Sequence, residues 1–314
     1  MMFRHCWPVR ASERRKALLG TLLWAAIILL AGLGTAGSAS ADSYKQGDKT
    51  GEVDTEHMFG FTEGSDIGGK GETEVETDST GRFGRLGGSY NNAATALEAK
   101  YSLSDRLRLS VAATIAYYDI SGVTGLDDRR QGALQSVSFD ARFRLFDRER
   151  APFGLTLSVE PHWGFADDIS GAPADQQSAE FRLLADRELI AGRLYGAFNI
   201  EYEPVQTRLR GFGETFRDST FGIGAALATR LMSNVFVGVE ARNLRHYEGL
   251  WLNSFAGQAL YIGPTFYATF GQGYFVSAAW NAQVWGGVAG SSGGGLDLIN
   301  FERHQVKLRL GVSF

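Results

Sequence analysis

From Val306 onward, Val306, Leu308, Leu310, Val312 and Phe314 are apolar, while Lys307, Arg309, Gly311 and Ser313 fill the positions between them. A repeat of two residues is the mark of a strand with one apolar and one polar face. The pattern recurs upstream. Leu107, Leu109, Val111, Ala113, Ile115 and Tyr117 alternate with Arg108, Ser110 and Thr114, and Val137, Phe139, Ala141, Phe143 and Leu145 alternate with Ser136, Ser138, Asp140, Arg142 and Arg144. Leu155, Leu157, Val159 and Trp163 share a face opposite Thr156, Ser158, Glu160 and His162. With weaker segments near 71–83 and 92–103, and further ones near 179–190, 193–203, 217–231, 234–246, 257–270 and 274–287, twelve strands are expected. Each is long enough for the roughly 9–11 tilted residues that cross a bilayer.

The connections alternate in length. Five are short: Ser104-Asp105, 148–152, Ala191-Gly192, Met232-Ser233 and 271–273. Six are longer and rich in Gly, Ser, Asp and Asn, near 84–91, 120–132, 165–177, 204–216, 247–256 and 288–300. Five turns at one end and six loops at the other put both ends of a twelve-stranded chain on one side, and even strand numbers are usual in bacterial barrels. A soluble β-sandwich would not impose this alternation. The expected fold is therefore all-β, a transmembrane up-and-down antiparallel β-barrel of about 12 strands over residues 71–314, both ends periplasmic. Composition agrees: 44% hydrophobic residues and a mean hydropathy of −0.13 coexist with no membrane-helix run after the N-terminal region. Aromatic girdles are expected at both rims. Tyr101, Phe146, Phe153, Phe270, Tyr274 and Phe314 lie by the short turns, and Tyr90, Tyr117, Tyr118, Trp163, Phe165, Tyr202, Tyr247, Trp251, Trp285 and Phe301 by the long loops.

Arg4, Arg10, Arg14, Arg15 and Lys16 precede the apolar run 17–33, and Ala39-Ser40-Ala41 forms an A-x-A site, so residues 1–41 read as a cleaved signal peptide. A single membrane anchor is the rival reading. Cleavage removes five of 31 basic and one of 35 acidic residues, leaving a mature net charge of −8 that offers nothing to nucleic acid. Cys6, the sole cysteine, leaves with it. Residues 42–70 are acidic and Gly-rich around one apolar island, Met58–Phe61. They read as a periplasmic leader or as a small plug in the lumen, and Glu63, Asp66 and Glu72 lack the spacing of a calcium loop.

If the apolar parity faces lipid, the other parity lines the lumen. Its candidate residues are Asp140, Arg142, Arg144, Glu160, Arg182, Glu201, Arg230, Glu240, Arg242, Lys307 and Arg309. Such charges either pair across strands or line a watery pore and set its selectivity. Gly222, Gly224, Ala226 and Ala228 form an inward stripe with almost no side chain, which leaves space for a cavity or relieves curvature. The histidines after the signal are His57, His162, His246 and His304. Only His304 has lipid-facing parity, and no nucleophile stands near it in sequence. No metal-ligand spacing or cofactor fingerprint is present.

The export signal, the alternating strands and the terminal Phe314 resemble Gram-negative outer-membrane barrels of the porin and small-substrate channel type, whose assembly machinery reads a C-terminal aromatic strand. The run Phe59-Gly60-Phe61-Thr62-Glu63-Gly64-Ser65-Asp66-Ile67-Gly68 is similar to that of uncharacterised outer-membrane transporter-like proteins. The resemblance implies an outer-membrane location, contact with its lipid and assembly machinery, and passive passage of a small polar solute. Alternatives are a filled barrel acting through its outer loops in structure or adhesion, and a lipid-modifying enzyme.

Overall fold

The structure is a computed structural model that describes residues 53–211, 213–291 and 295–314. The signal peptide expected at 1–41, and residues 42–52 of the segment behind it, lie outside the described residues.

Each strand pairs with its sequence neighbours, and every pairing, the closing one included, is antiparallel. The strands are β1 (Thr73–Phe83), β2 (Ser89–Ser104), β3 (Leu107–Ser121), β4 (Arg129–Phe146), β5 (Gly154–Ala166) and β6 (Pro173–Ile190). They continue as β7 (Leu194–Leu209), β8 (Thr215–Met232), β9 (Val235–Glu248), β10 (Ser254–Phe270), β11 (Tyr274–Val288) and β12 (His304–Ser313). The sheet closes through β1 and β12, in register from Glu74 opposite Ser313 to Phe83 opposite His304. Closure satisfies every edge, which a sheet in hydrocarbon requires. A sandwich is thereby excluded. Phe314 continues the seam: its N–H donates to the Thr73 carbonyl at 2.8 Å, and its ring is 71% exposed at the short-turn rim.

Short-turn boundaries fall within two residues of expectation, whereas several long-loop boundaries lie further out. β4 starts at Arg129 rather than 134, β6 at Pro173 rather than 179, and β7 runs to Leu209 rather than 203. Above the membrane both faces of a strand meet water, so the apolar alternation stops while the backbone ladder continues. Hydropathy cannot register that part.

The short-turn girdle is as expected, with Tyr101, Phe146, Phe153, Phe270 and Tyr274 exposed on the outer surface. The long-loop girdle needs correction. Tyr117, Trp163, Phe165, Trp251 and Trp285 face outward, but Tyr90, Tyr118 and Phe301 are buried. The parity of Tyr90 and Tyr118 points inward, where their hydroxyls donate to the Ile169 and Asp167 carbonyls at 2.9 and 3.2 Å and draw the β5–β6 loop into the mouth, while Phe301 packs from its loop against Leu244, Ala259 and Tyr261.

Neighbouring residues of β3 separate the two faces. Ile115 is exposed on the apolar surface, and Thr114 borders an interior cavity. Ile115→Arg is expected to lower unfolding free energy in lipid vesicles by about 2–4 kcal/mol, with Thr114→Lys close to neutral. Equal costs in urea titrations of the refolded protein would contradict the assignment of faces.

Candidate functional site

Residues 53–70 occupy the short-turn half of the barrel interior. Phe59 is fully buried, with Met58, Tyr195, Ala197, Ala226, Ala228, Phe236, Tyr267 and Phe275 around it. The segment folds on itself, with Gly64 N–H donating to the Glu56 carbonyl at 3.2 Å and Gly64 packed against Thr55 so closely that a Cβ has no room. Gly60 turns with φ +85 against Ala279 and Glu240. The run Phe59–Gly68 is thus the body of a plug.

The inward stripe of β8 is its seat rather than an open groove. The Glu201 side chain lies over Gly222, Thr62 stands over Gly224, and Ala226 and Ala228 pack in the Phe59 cluster. The wall also satisfies the plug backbone. Glu240 accepts from the N–H groups of Phe61 and Thr62 at 3.2 and 2.7 Å, and Asn199 exchanges two hydrogen bonds with Glu63 backbone groups at 2.7 and 2.8 Å.

Charge pairing holds the plug more widely. Glu56 meets Lys100 at 2.9 Å, Arg142 at 3.4 Å, and Arg108 in a two-pronged contact. Glu63 meets Arg142 at 2.9 Å, Arg182 at 3.4 Å, and Arg309. Asp66 meets Arg148 at 2.6 Å and Arg144 at 3.6 Å. Three plug acids therefore gather seven wall bases, most of them buried. Removing one partner of a buried pair leaves an uncompensated charge, at about 3–5 kcal/mol. Glu63 and Asp66 are thus occupied by guanidinium groups, and Glu72 folds back onto the Gly69 N–H at 2.9 Å.

His57 stacks on Phe275 with centroids 4.5 Å apart. Its Nε2 lies 3.1 Å from Glu74, 3.4 Å from Glu76 and 3.5 Å from Glu56, while Lys100 and Arg309 approach the ring at 3.4 Å. Glu56, His57 and Glu74 could present three ligand atoms to a cation, but the Lys100 ammonium already sits among the carboxylates at 2.8–3.1 Å. The residues present do not fit a metal there. At Glu160, His162 and Glu180 the Arg182 guanidinium plays the same part, 2.7 Å from Glu160.

The remaining expected lumen residues also point inward. Asp140 is buried between Arg142 and Ser158 at 2.7 Å from each, and Lys307 pairs with Asp78 at 3.0 Å. Arg230 stands 5.2 Å over the Phe236 ring near the short-turn end. Arg242 stacks on Phe61 at 3.9 Å and donates to Gln305 at 2.6 Å. Arg142, Arg144, Arg182 and Arg309 engage the plug, Glu160 pairs with Arg182, and Glu201 and Glu240 flank the plug's upper end. Sequence reasoning missed Glu56 as a docking residue altogether. The available signal was the spacing of Glu56, Glu63 and Asp66 about an apolar island, matched by an inward crowd of arginines on β3, β4 and β6.

Above the plug a polar cavity of about 440 Å³ opens toward the long loops, floored by Phe61 and Glu63. Beside it lies a second of about 310 Å³, and the two share Thr80, Arg82, Glu180, Arg182 and Lys307 in their walls. Inward loops narrow the mouth through Arg82–Asp168 at 3.3 Å and Arg85–Glu302 at 2.6 Å. His246 borders the first cavity and His162 the second, and the His304 ring lies 5.8 Å from that of Trp280.

The plug's charges set a pH dependence. Burial pushes the Glu56 and Glu63 carboxyls up, but Arg108, Lys100, His57 and Arg142 around Glu56, and Arg142, Arg309, Arg182 and Lys307 around Glu63, outweigh it and hold both well below the ordinary 4.5. Burial pushes His57 down, Lys100 opposes its charge too, and the Glu56, Glu76 and Glu74 carboxylates outweigh both to raise it above 6.5. The depressed carboxylates favour docking fully above their free pKa and lose that contribution as pH falls through their docked values. Raised His57 contributes fully below its free pKa and loses it as pH rises through the docked value. Protection of the plug from added protease in the refolded protein is therefore expected to peak at about pH 5–6 and decline on both sides. A flat profile would contradict this account of docking.

The barrel is similar in fold to the COG4313 outer membrane channel from Pseudomonas putida F1, with 10% identity, a TM-score of 0.56, and 80% of this chain and 98% of that chain covered. The NanC porin also aligns, at 10% identity and a TM-score of 0.45 over 76% of this chain and 98% of that one. So does the KdgM porin, at 8% and 0.40 over 77% and 98%. No curated protein matches the sequence. Residues 51–314 match the model of a family of unknown function, DUF6662, so the matched region takes in the plug together with the barrel.

Proposed function

The chain therefore belongs to the DUF6662 family of unknown function, and from that premise we propose that it is an outer-membrane channel for passive passage of small polar solutes, closed by its own N-terminal plug. The observation that carries this reading is the division of the lumen. A polar cavity open toward the long loops ends on a short segment that is held by ion pairs and hydrogen bonds rather than built into the sheet. Twelve strands enclose more room than wall side chains alone fill, and here residues 53–70 take up the remainder of the lower half. Unseating them would join the cavity to the short-turn end without disturbing a ladder. The short-turn end, with Phe314 at its rim, is the periplasmic one in this reading, and outer-membrane lipid surrounds the exposed apolar band.

The buried pairing also favours a second reading, a permanently filled barrel with a structural role. Planar-bilayer recordings separate the two. Wild type is expected to open rarely, and Glu56→Gln with Glu63→Gln to raise open probability about tenfold or more, since each substitution removes an acid facing several buried bases. A double variant that folds and stays silent would overturn the channel reading.

A further inference from the structure

The upper cavity carries opposite charges across a stretch of β8 wall without side chains. The Glu201 carboxylate lies over Gly222 and makes no hydrogen bond or ion pair among the described residues. Two strands away, Arg242 runs past Gly224, with its Cγ 3.5 Å from where a Cβ would stand. Arg242 is 8% exposed and borders the cavity, and one guanidinium nitrogen is spent on Gln305, yet its Nε has no acceptor. A buried guanidinium N–H without a partner is costly unless something else supplies an oxygen. Phe61 fixes that guanidinium from below, and Lys307 stands 5.4 Å from the same ring.

Glu201 and Arg242 do not form an ion pair, because no contact within 4 Å joins them, although β8 places only Gly222 and Gly224 between them and Thr62 of the plug stands over Gly224. An occupant that fits must offer an ammonium to one and a carboxylate to the other, a short distance apart. We infer that the cavity above the plug is a binding site for small zwitterions of the α-amino-acid type, with the ammonium on Glu201 and the carboxylate on Arg242. Glu203 and Asp218 border the ammonium side, and Lys307, paired with Asp78, borders the carboxylate side. The remaining cavity volume, lined by Gln176, Thr207 and Thr220, accepts a polar side chain.

As the substrate class of the channel proposed above, this inference rests on that reading, and equilibrium binding tests it apart from current. The refolded full-length protein in detergent is titrated with alanine, propionate and ethylamine, which differ only in carrying both charged groups or one. Alanine is expected to bind about tenfold or more tighter than either single-charge analogue, since each charge-assisted hydrogen bond contributes about that factor. Glu201→Gln should bring alanine down to the propionate level and leave propionate unchanged. Gly222→Ala, which displaces the Glu201 carboxylate from its seat, should do the same. Equal affinity for all three, tightest binding of ethylamine, or no binding would overturn the site. Current without alanine binding overturns it and leaves the channel standing, whereas alanine binding without current supports the site and removes the channel.

Discussion

The interior of this barrel depends on the pairing of three plug acids, Glu56, Glu63 and Asp66, with bases drawn from one arc of the ring, β12 through β6. A barrel in lipid turns most of its apolar side chains outward, so hydrophobic packing closes only part of the inner face, around Met58 and Phe59. Bringing seven bases to one polar wall without counter-charges would desolvate and repel them. The plug supplies those carboxylates, and the wall supplies the plug with nearly all its partners. Each therefore compensates the other's cost of burial. A buried ion pair is weak evidence for added stability but strong evidence that neither half is content alone. This mutual dependence gives the segment a single seat.

Shape then selects that seat. The Gly222–Ala228 stripe removes side chains where the plug approaches β8, Gly64 lets the plug cross its own backbone, and aromatic rings of β7, β9, β10 and β11 enclose Met58 and Phe59. Ion pairs hold the plug against the β12–β6 arc, while the apolar island packs against the β7–β11 arc. The plug fills the short-turn half and leaves the other half wet, and the cavity there inherits Phe61 as its floor.

Much of the barrel was legible because its two faces obey one repeat. Leu308, Leu310 and Val312 announce a lipid face, and the alternation of turn lengths yields strand number and closure before any coordinate is seen. The upper strand ends, such as Arg129–Ala133 and Pro173–Ser178, were hidden because water on both faces erases the pattern. Inward orientation of Arg142, Arg182 and Arg309 could be read from parity, but their partner could not. Parity says which way a side chain points and nothing about what a separate segment brings to meet it. Tyr90 and Tyr118 show the same limit, since an aromatic near a rim belongs to the girdle or to the mouth according to a loop's path.

The most direct test ties the plug to the wall. Thr62 Oγ1 lies 3.1 Å from the position of a Cβ on Gly224, which matches the reach of a disulfide between Thr62→Cys and Gly224→Cys. With Cys6→Ser, and with Glu56→Gln and Glu63→Gln to favour opening, the account predicts that the oxidised protein is silent in planar bilayers and that reduction restores current. Equal current with the disulfide closed and open would contradict it.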